Sequence, residues 1–494
     1  MSKAGPPGLG LAFCAGTPFD AAMTLMPTFE ALKARLEPAG QTHLLAFWPR
    51  LSEEQRFALA AQISSLDLSS LAEMKQAIDL LRSQKPRELS PAPVVELAER
   101  RFPYRLGDEA EQARAAGAEA LRLGKVACLL VAGGQGTRLG FPGPKGCYPL
   151  LPLSRMTLFE IFARKLRRVG ARYGKTPTLY VMVSRQNEGP TREFFAEHRC
   201  FGLDEGGVHF FAQGELPSLD ADGRLVLESP HSLFLGPDGH GGVLQALMQC
   251  GAMERLQREG ISTLSYFQVD NAQVPVADVA FLGLHLTRQA DVSLKVVRRL
   301  DESERVGVFC LDRGVPQIVE YSEFSEAQSK QRDERGLVYW AGSIAVHAFS
   351  VAFLARLATS SARLPLHAAH KKVPVLDARG ETVTPHVPNV YRFERFIFDT
   401  LPLARHVVAL EVPREEQFLP LKNPDGPFGP EGVRQALDGY WRQALAAGGL
   451  AVTQTRPPQI EVDPLLADNA HDLAEVLAAR RLDAQDFDRP LRLA

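Results

Sequence analysis

The sequence predicts an α/β protein: a mixed, mainly parallel sheet flanked by helices, with an N-terminal helical segment and a small C-terminal domain. Continuous apolar runs, such as residues 126–132, are typical of strands that are buried on both faces. Segments with apolar residues at helical spacing alternate with these runs. The chain has 494 residues, which is more than one ordinary core, so two or three domains are expected.

The N-terminal domain is expected to be helical and to cover residues 1–105. Residues Ser52–Gln55 and Ser70–Glu73 both match the capping-box pattern, which predicts a helix start at each. Residues 84–93 contain three prolines and are predicted to be a linker.

The main α/β domain is expected to cover residues 106–404 and the small C-terminal domain residues 405–494. Helices are predicted after Thr157 and over residues 242–259 and 432–447. Strands are predicted at residues 126–132, 178–184, 208–211, 264–269, 292–297, 306–311, 317–320 and 344–349.

Composition excludes several classes of protein. A net charge of −2 gives no reason to expect nucleic acid or an anionic membrane as a partner. No apolar run approaches the roughly 20 residues of a membrane span. The six cysteines form no C-x-x-C pair and are expected to be reduced thiols. Residues 1–20 are interpreted as a disordered tail and not as a signal, so a cytoplasmic protein is predicted.

The strongest chemical signal is the glycine-rich stretch of residues 131–140, VAGGQGTRLG, followed by Pro-Lys-Gly at 144–146. Glycines allow the backbone to turn tightly, and their N–H groups can face phosphate oxygens. Arg138 and Lys145 add positive charge beside this turn, which suits a polyphosphate. The glycines alone fit a plain turn equally well. The stretch matches neither a Walker A loop nor a dinucleotide fingerprint.

This loop resembles the signature loop of nucleotide-sugar pyrophosphorylases, above all the eukaryotic-type UDP-N-acetylhexosamine (UDP-N-acetylglucosamine) pyrophosphorylases within the UDP-glucose pyrophosphorylase group. Four further motifs of that family follow in order: PDGHGG at 237–242, VDN at 269–271, VEYSE at 319–323 and PLKN at 420–423. The resemblance covers nearly the whole chain. It implies a Rossmann-like nucleotidyltransferase (GT-A-like) fold and an enzyme that joins UTP to a sugar 1-phosphate.

Asp270 ends an apolar strand, where open α/β sheets bind ligands, and Mg²⁺ takes carboxylate and phosphate oxygens together. The resemblance implies Asp270 as the ligand of Mg²⁺; a helix-capping aspartate is the alternative. It also implies three catalytic cations, a nucleotide site and a sugar site. The catalytic cations are Arg138, Lys145 and Lys422. The nucleotide site consists of Val131, Ala132, Gly133, Gly134, Gln213, Gly239 and Arg392. The sugar site consists of His240, Gly307, Glu320, Tyr321 and Ser343.

His240 and Ser343 stand where the family pattern has asparagine, which alters the hydrogen bonds offered to the sugar. N-acetylglucosamine 1-phosphate is the first expectation, and glucose 1-phosphate, galactose 1-phosphate or a broad range is the alternative. A non-catalytic UDP-sugar binder or a glycosyltransferase is the alternative from another class. Arg395 is a further candidate for phosphate contact, whereas His347 is expected to be a hydrogen-bonded core histidine.

Overall fold

A computed structural model describes residues 27–494 except 84–86, 101, 103–104, 361–362, 378, 451–458 and 481–490. The predicted N-terminal tail therefore lies outside the described residues. The chain divides into two compact units, and the domain boundaries at 105 and 404 stay predictions. The small unit consists of the described part of Met1–Leu81, Leu216–Gly236 and Ala368–Phe393, and the large unit of Arg82–Glu215, Pro237–His367 and Glu394–Ala494. No helix in the described ranges is long and apolar enough to cross a membrane.

Ten strands of the described chain form one mixed sheet in the large unit. They are numbered in chain order: β1 Leu89–Pro91, β2 Val126–Val131, β3 Leu179–Val183, β4 Val208–Ala212, β5 Thr263–Gln268, β6 Val292–Arg298, β7 Val308–Asp312, β8 Val315–Val319, β9 Ala341–Ser350 and β10 Val407–Glu411. Shorter strands lie at Leu97–Glu99, Arg105–Leu106, Glu215–Pro217, Leu219–Asp220, Leu227–Ser229, Ser232–Leu233, Leu235–Pro237, Arg332–Asp333, Gly336–Leu337, His367–Lys371, Val375–Leu376, Thr382–Val383, Val390–Glu394, Ile460–Val462 and Leu491–Leu493.

The sheet has a parallel part and an antiparallel extension. Strands β5, β2, β3 and β4 are neighbours in this order, and each pair is parallel. Strand β9 pairs antiparallel with β5, β6 and β7, and β10 adds to β6 in parallel. Strand β7 also pairs antiparallel with β1 and β8. The predicted mixed α/β architecture is confirmed. The expectation of a mainly parallel sheet is wrong, because five of the nine described strand pairs in this sheet are antiparallel and four are parallel. The carboxyl ends of β2 to β5, the parallel part, share one edge.

Helices cover both faces of this sheet. Along β2, alternate side chains belong to two separate apolar clusters, because successive residues of a strand point to opposite faces. The helices are α1 Phe29–Leu36, α2 Glu53–Ser65, α3 Ser70–Ser83, α4 Asp108–Arg122, α5 Leu158–Tyr173, α6 Arg185–Glu197, α7 Val243–Gln249, α8 Ala252–Arg258, α9 Val279–Thr287, α10 Glu326–Lys330, α11 Val351–Thr359, α12 Arg414–Gln417, α13 Pro430–Ala447 and α14 Ala470–Arg480.

Two of the three predicted helix caps form as expected. Ser52 and Gln55 make a complete capping box at the start of α2. Thr157 accepts a hydrogen bond from the N–H of Glu160 at 3.3 Å at the start of α5. Ser70 is instead the first residue of its helix, and its hydroxyl donates to the Asp67 carbonyl at 2.6 Å, so the helix starts one residue earlier than predicted.

The single helix predicted over residues 242–259 is wrong, since two helices cover this stretch. Gly251 separates α7 from α8 and has φ +73°, a left-handed conformation that ends a helix. The linker predicted at 84–93 is also wrong in part. Its residues Leu89–Pro91 form β1 at the edge of the sheet, where a proline is tolerated because no ladder partner is needed on its open side.

Ion pairs fix the end of the chain to α5. Arg164 contacts Asp463 at 2.5 Å, and Lys165 contacts Asp468 at 2.7 Å. Both aspartates are largely buried, with side chains 5% and 15% exposed. Helices α13 and α14 pack with the strand Ile460–Val462 in a separate apolar cluster. The C-terminal segment is therefore an integral part of the large unit.

Helix α12 contains a carboxyl group with an unusual pKa. Burial raises the pKa of Glu416 to about 7, although the Tyr440 hydroxyl, which donates to it at 3.2 Å, opposes the shift. Because the folded-state pKa lies above the unfolded one, this group stabilises the fold fully below about pH 4.5, and the contribution is lost as the pH rises through about 7. The parent protein should lose unfolding free energy between pH 5 and pH 8 as Glu416 ionises. We expect Glu416→Gln to lose about 1–2 kcal/mol less over the same pH range.

Urea unfolding of both proteins at several pH values measures this difference. Glu431→Gln is the matched control, since the side chain of Glu431 on α13 is 68% exposed, and its pH profile should follow that of the parent protein. Parallel profiles for Glu416→Gln and the parent would show that Glu416 is already ionised in the folded state.

Candidate active site

The glycine-rich loop begins where β2 ends, at the carboxyl edge of the parallel strands. Ala132 is fully buried, and its N–H donates to the Met182 carbonyl of β3 at 2.7 Å. On the other side, the Val131 carbonyl accepts from the N–H of Val269 at 3.0 Å. Neighbouring strands therefore fix the direction in which the chain enters the loop.

The side chain of Gln213 lies directly against the loop. A Cβ atom at Gly133 would stand 3.1 Å from Oε1 and 3.2 Å from Nε2 of Gln213, so the close approach favours glycine. Gln213 follows β4, its N–H donates to the Val183 carbonyl at 2.8 Å, and it is 7% exposed. The structure thus brings these two predicted nucleotide-binding residues together.

Asn187 shapes the loop and was not predicted from the sequence. Its Nδ2 donates to the carbonyls of Gly133 and Gly134 at 2.9 and 3.1 Å, and its Oδ1 accepts from Gln135 at 2.5 Å. In a trans peptide the N–H points away from the C=O of the same peptide group. The N–H groups of Gly134 and Gln135 therefore point away from the Asn187 side chain. The available signal was an asparagine in the first turn of a helix that follows a strand at this edge.

The predicted cations and Asp270 form one cluster. Lys145 Nζ donates to the Leu421 carbonyl at 3.3 Å, and Lys422 Nζ lies 3.7 Å from Asp270 Oδ2. Burial lowers the pKa of Lys145, Asp270 opposes this shift, and the positive charges of Lys422 and Arg138 add to it. Three cations and one carboxylate give a site with an excess of positive charge, as binding of a polyphosphate requires.

Asp270 is the candidate residue for holding a metal ion. It lies two residues beyond β5, at the carboxyl edge of the sheet, with its side chain 13% exposed. The described ranges contain no group of three or more His, Cys, Asp or Glu residues that could hold a metal ion. A single carboxylate fits Mg²⁺, which commonly takes its other ligands from phosphates and water.

The loop of residues 237–242 packs tightly around Asp238. A Cβ atom at Gly242 would come within 2.1 Å of the Asp238 carboxylate, and one at Gly239 within 2.5 Å of the Arg395 carbonyl. Gly239 also has φ +83°, so both space and conformation require glycine there. Burial raises the pKa of Asp238 to about 6, although the charge of Arg395 opposes it. The Arg395 Nε donates to the Leu364 carbonyl at 3.1 Å.

His240 is held in one tautomer. Its Nδ1 accepts from the N–H of Ile397 at 3.1 Å, and its ring stacks on Phe396 at a centroid distance of 5.2 Å. Burial, followed by the charge of His367, lowers the pKa of His240 to about 4. The ring is therefore neutral near pH 7, with its proton on Nε2. His240 offers a hydrogen-bond donor, whereas an asparagine would offer a donor and an acceptor.

The other predicted sugar-binding residues lie at the antiparallel part of the sheet. Ser343 donates its N–H to the Gly307 carbonyl at 2.8 Å, and a Cβ at Gly307 would stand 3.3 Å from Glu320 Oε1. Burial and the charge of Glu323 raise the pKa of Glu320. Tyr321 is 44% exposed, and its role at the sugar stays a prediction.

Two predictions have different outcomes. Arg392 belongs to the small unit, where its guanidinium lies 5.9 Å from the Phe234 ring centroid, and its role in nucleotide binding stays a prediction. The expectation that His347 lies in the core is confirmed, and the expectation that it is hydrogen-bonded is wrong. It is 1% exposed, but neither ring nitrogen has a hydrogen-bond partner among the described residues, and burial lowers its pKa to about 3.

The fold and this site define a nucleotidyltransferase-like α/β protein. The family described as UTP–glucose-1-phosphate uridylyltransferase matches residues 76–428, and the chain belongs to that family. It is 38% identical to human UDP-N-acetylhexosamine pyrophosphorylase-like protein 1 over 95% of this chain and 97% of the relative. It is 35% identical to the UDP-N-acetylglucosamine pyrophosphorylase of Saccharomyces cerevisiae over 78% of this chain and 84% of that protein.

A solved structure shares the fold over nearly the whole chain. It is the uridine diphosphate N-acetylglucosamine pyrophosphorylase from Trypanosoma brucei in complex with an inhibitor, with a TM-score of 0.79 and 26% identity. The match covers 94% of this chain and 98% of that one. The expected family and nucleotidyltransferase-like fold are both confirmed.

Proposed function

We propose that this chain is a uridylyltransferase that forms a UDP-sugar and pyrophosphate from UTP and a sugar 1-phosphate, with N-acetylglucosamine 1-phosphate as the preferred acceptor. The observation that carries the proposal is the convergence of Lys145, Lys422 and Asp270 beside the glycine-rich loop. Homologous enzymes named for this reaction, which are similar over most of their length, support it.

The site supports an in-line displacement at the α-phosphorus of UTP. A phosphate oxygen of the sugar 1-phosphate forms the new P–O bond, and the bond to the β-phosphate oxygen breaks, with its electron pair leaving on pyrophosphate. Because the nucleophile is already an anion, no general base is needed. Catalysis then rests on positioning and on neutralising charge. The loop N–H groups, Arg138 and Lys145 would bind the triphosphate, and Lys422 would bind the acceptor phosphate.

Magnesium belongs to the proposal as the cofactor. Asp270 would hold it, and the bound ion would neutralise charge on the phosphates during transfer. The chain's own contribution is to aim one carboxylate at the phosphates from the end of β5 and to keep Lys422 beside it.

His240 and Ser343 bear on which acceptor sugar the site takes. The Nε2–H of His240 can donate to a hydroxyl or to an acetamido oxygen, and it offers no acceptor in return. A pocket with fewer acceptors discriminates less between sugars. A broader acceptor range, including glucose and galactose 1-phosphates, is therefore the second candidate.

The proposal includes a cytoplasmic location. Cys128, Cys147, Cys200, Cys250 and Cys310 are free thiols in the described chain, which fits a reducing compartment.

Pyrophosphate release from UTP and Mg²⁺ tests the reaction directly, with the 1-phosphates of N-acetylglucosamine, N-acetylgalactosamine, glucose and galactose as acceptors. We expect release with at least one of them, and the highest kcat/KM with N-acetylglucosamine 1-phosphate. No release from folded protein that still binds UTP would favour a UDP-sugar binder or a glycosyltransferase instead.

A further inference from the structure

Lys422 lies on a segment without regular secondary structure. Residues 418–429 connect α12 to α13, and the side chain of Lys422 is 52% exposed. A long, exposed side chain on a loop has many conformations, so its ammonium group reaches one place only if the backbone below it is held. The contacts of this segment therefore decide where the charge of Lys422 stands.

Asn271 ties this segment to the end of β5. Its Nδ2 donates to the Gln417 carbonyl at 2.7 Å, and its Oδ1 accepts from the Leu419 N–H at 2.9 Å. One residue away, the Leu421 N–H donates to the Asp270 carbonyl at 2.8 Å. Asn271 is 3% exposed, so both of its side-chain bonds are shielded from water. Asp270 and Asn271 at the end of β5 thus supply the carboxylate and also hold the loop that carries Lys422.

A buried polar network anchors the other end of the segment. Gln417 Oε1 accepts from Lys295 Nζ at 2.6 Å. Lys295 lies on β6 with no exposed side-chain surface and pairs with Asp278 at 2.7 Å. Gln417 therefore connects the segment to the centre of the sheet, and Asn271 binds its backbone carbonyl. A network in which each member is hydrogen-bonded is rigid.

We propose that Asn271 is a positioning residue for Lys422: by binding the backbone at Gln417 and Leu419, it sets the Lys422 ammonium beside Asp270. This inference rests on the proposed function, in which Lys422 binds the acceptor phosphate. Both polar groups of the Asn271 side chain are taken up by backbone partners. Its amide is suited to the task because one side chain must donate to a carbonyl and accept from an N–H at the same time.

A double-mutant cycle tests the proposal. Asn271→Ala is expected to lower kcat about 30-fold in the parent protein, because a displacement of about 1 Å can cost up to 100-fold in rate. In a Lys422→Ala background the same change should lower kcat less than about 3-fold, since the group that Asn271 positions is already absent. A merely structural role would lower kcat by the same factor in both backgrounds, and that result would overturn the proposal.

Asn469→Ala is the matched control for this cycle. The Asn469 side chain also makes one donor and one acceptor bond, to Asp472, but at the start of α14. It should lower the melting temperature and leave kcat unchanged. If Asn271→Ala does not fold, Asn271→Ser replaces it, because serine is too short to bridge both backbone groups.

Hydrogen exchange separates a failure of this inference from a failure of the proposed function. The amides of Leu419 and Leu421 should exchange faster in Asn271→Ala than in the parent protein, whatever reaction the enzyme catalyses. Unchanged exchange there contradicts the inference alone. A parent protein that releases no pyrophosphate with any sugar 1-phosphate contradicts the proposed function, while the exchange result still reports on the contacts that Asn271 makes with Gln417 and Leu419.

Discussion

Asp270→Asn is expected to lower kcat by about three orders of magnitude while the fold stays intact, as the loss of a principal charge-stabilising group does. Asparagine has the shape of aspartate but lacks the charge that holds Mg²⁺ and pairs with Lys422 at 3.7 Å. Pyrophosphate release at saturating UTP and acceptor measures the effect. Raising Mg²⁺ to tens of millimolar should not restore the rate.

A binding measurement keeps this prediction specific. In the absence of metal, Asp270→Asn should bind UTP at least as tightly as the parent protein, because removing a negative charge beside three cations favours an anionic ligand. Asp333→Asn is the control for the substitution, since Asp333 is exposed in the hairpin at residues 332–337. A variant with near-normal turnover would show that Asp270 is a structural aspartate, and the metal assignment would fail.

The sequence predicted the sheet well because buried parallel strands leave a clear pattern. The run at 126–132 has no polar residue, and it became β2, with helices on both faces. Errors came where one residue changes the local structure. Gly251 ends a helix within an otherwise continuous helical pattern, and β1 forms inside a proline-rich stretch because β7 offers it an edge.

The site was predicted through its motifs and not through its contacts. Asp270 and Lys422 are 152 positions apart, and no periodicity in the chain links them. The contacts of Asn187 and Asn271 were missed for the same reason, because most of their partners are backbone groups of distant segments. A sequence shows where an asparagine is, whereas its function depends on which backbone groups the fold turns toward it.

Lys145→Met is expected to lower kcat/KM by about a thousandfold, comparable to losing a principal donor to developing charge. Lys145 follows the glycine-rich loop, and its Nζ lies 3.3 Å from the Leu421 carbonyl. Methionine preserves much of the length of the side chain and removes only the charge and its donors. Steady-state pyrophosphate release at several UTP concentrations measures the loss.

Thermal unfolding separates the catalytic role of Lys145 from a structural one. Burial already lowers its pKa, with Lys422 and Arg138 as further causes, so the charged form is held at a cost in free energy. An apolar side chain removes that cost, and we expect the melting temperature of Lys145→Met to be equal to or above that of the parent protein.

Lys372→Met, at an exposed lysine of the small unit, should leave both the rate and the melting temperature unchanged. A Lys145→Met protein that loses activity only in proportion to a lower melting temperature would contradict the catalytic role. A Lys145→Met protein that keeps its stability and loses its rate would show that the buried charge of Lys145 serves the reaction at a cost to the stability of the fold.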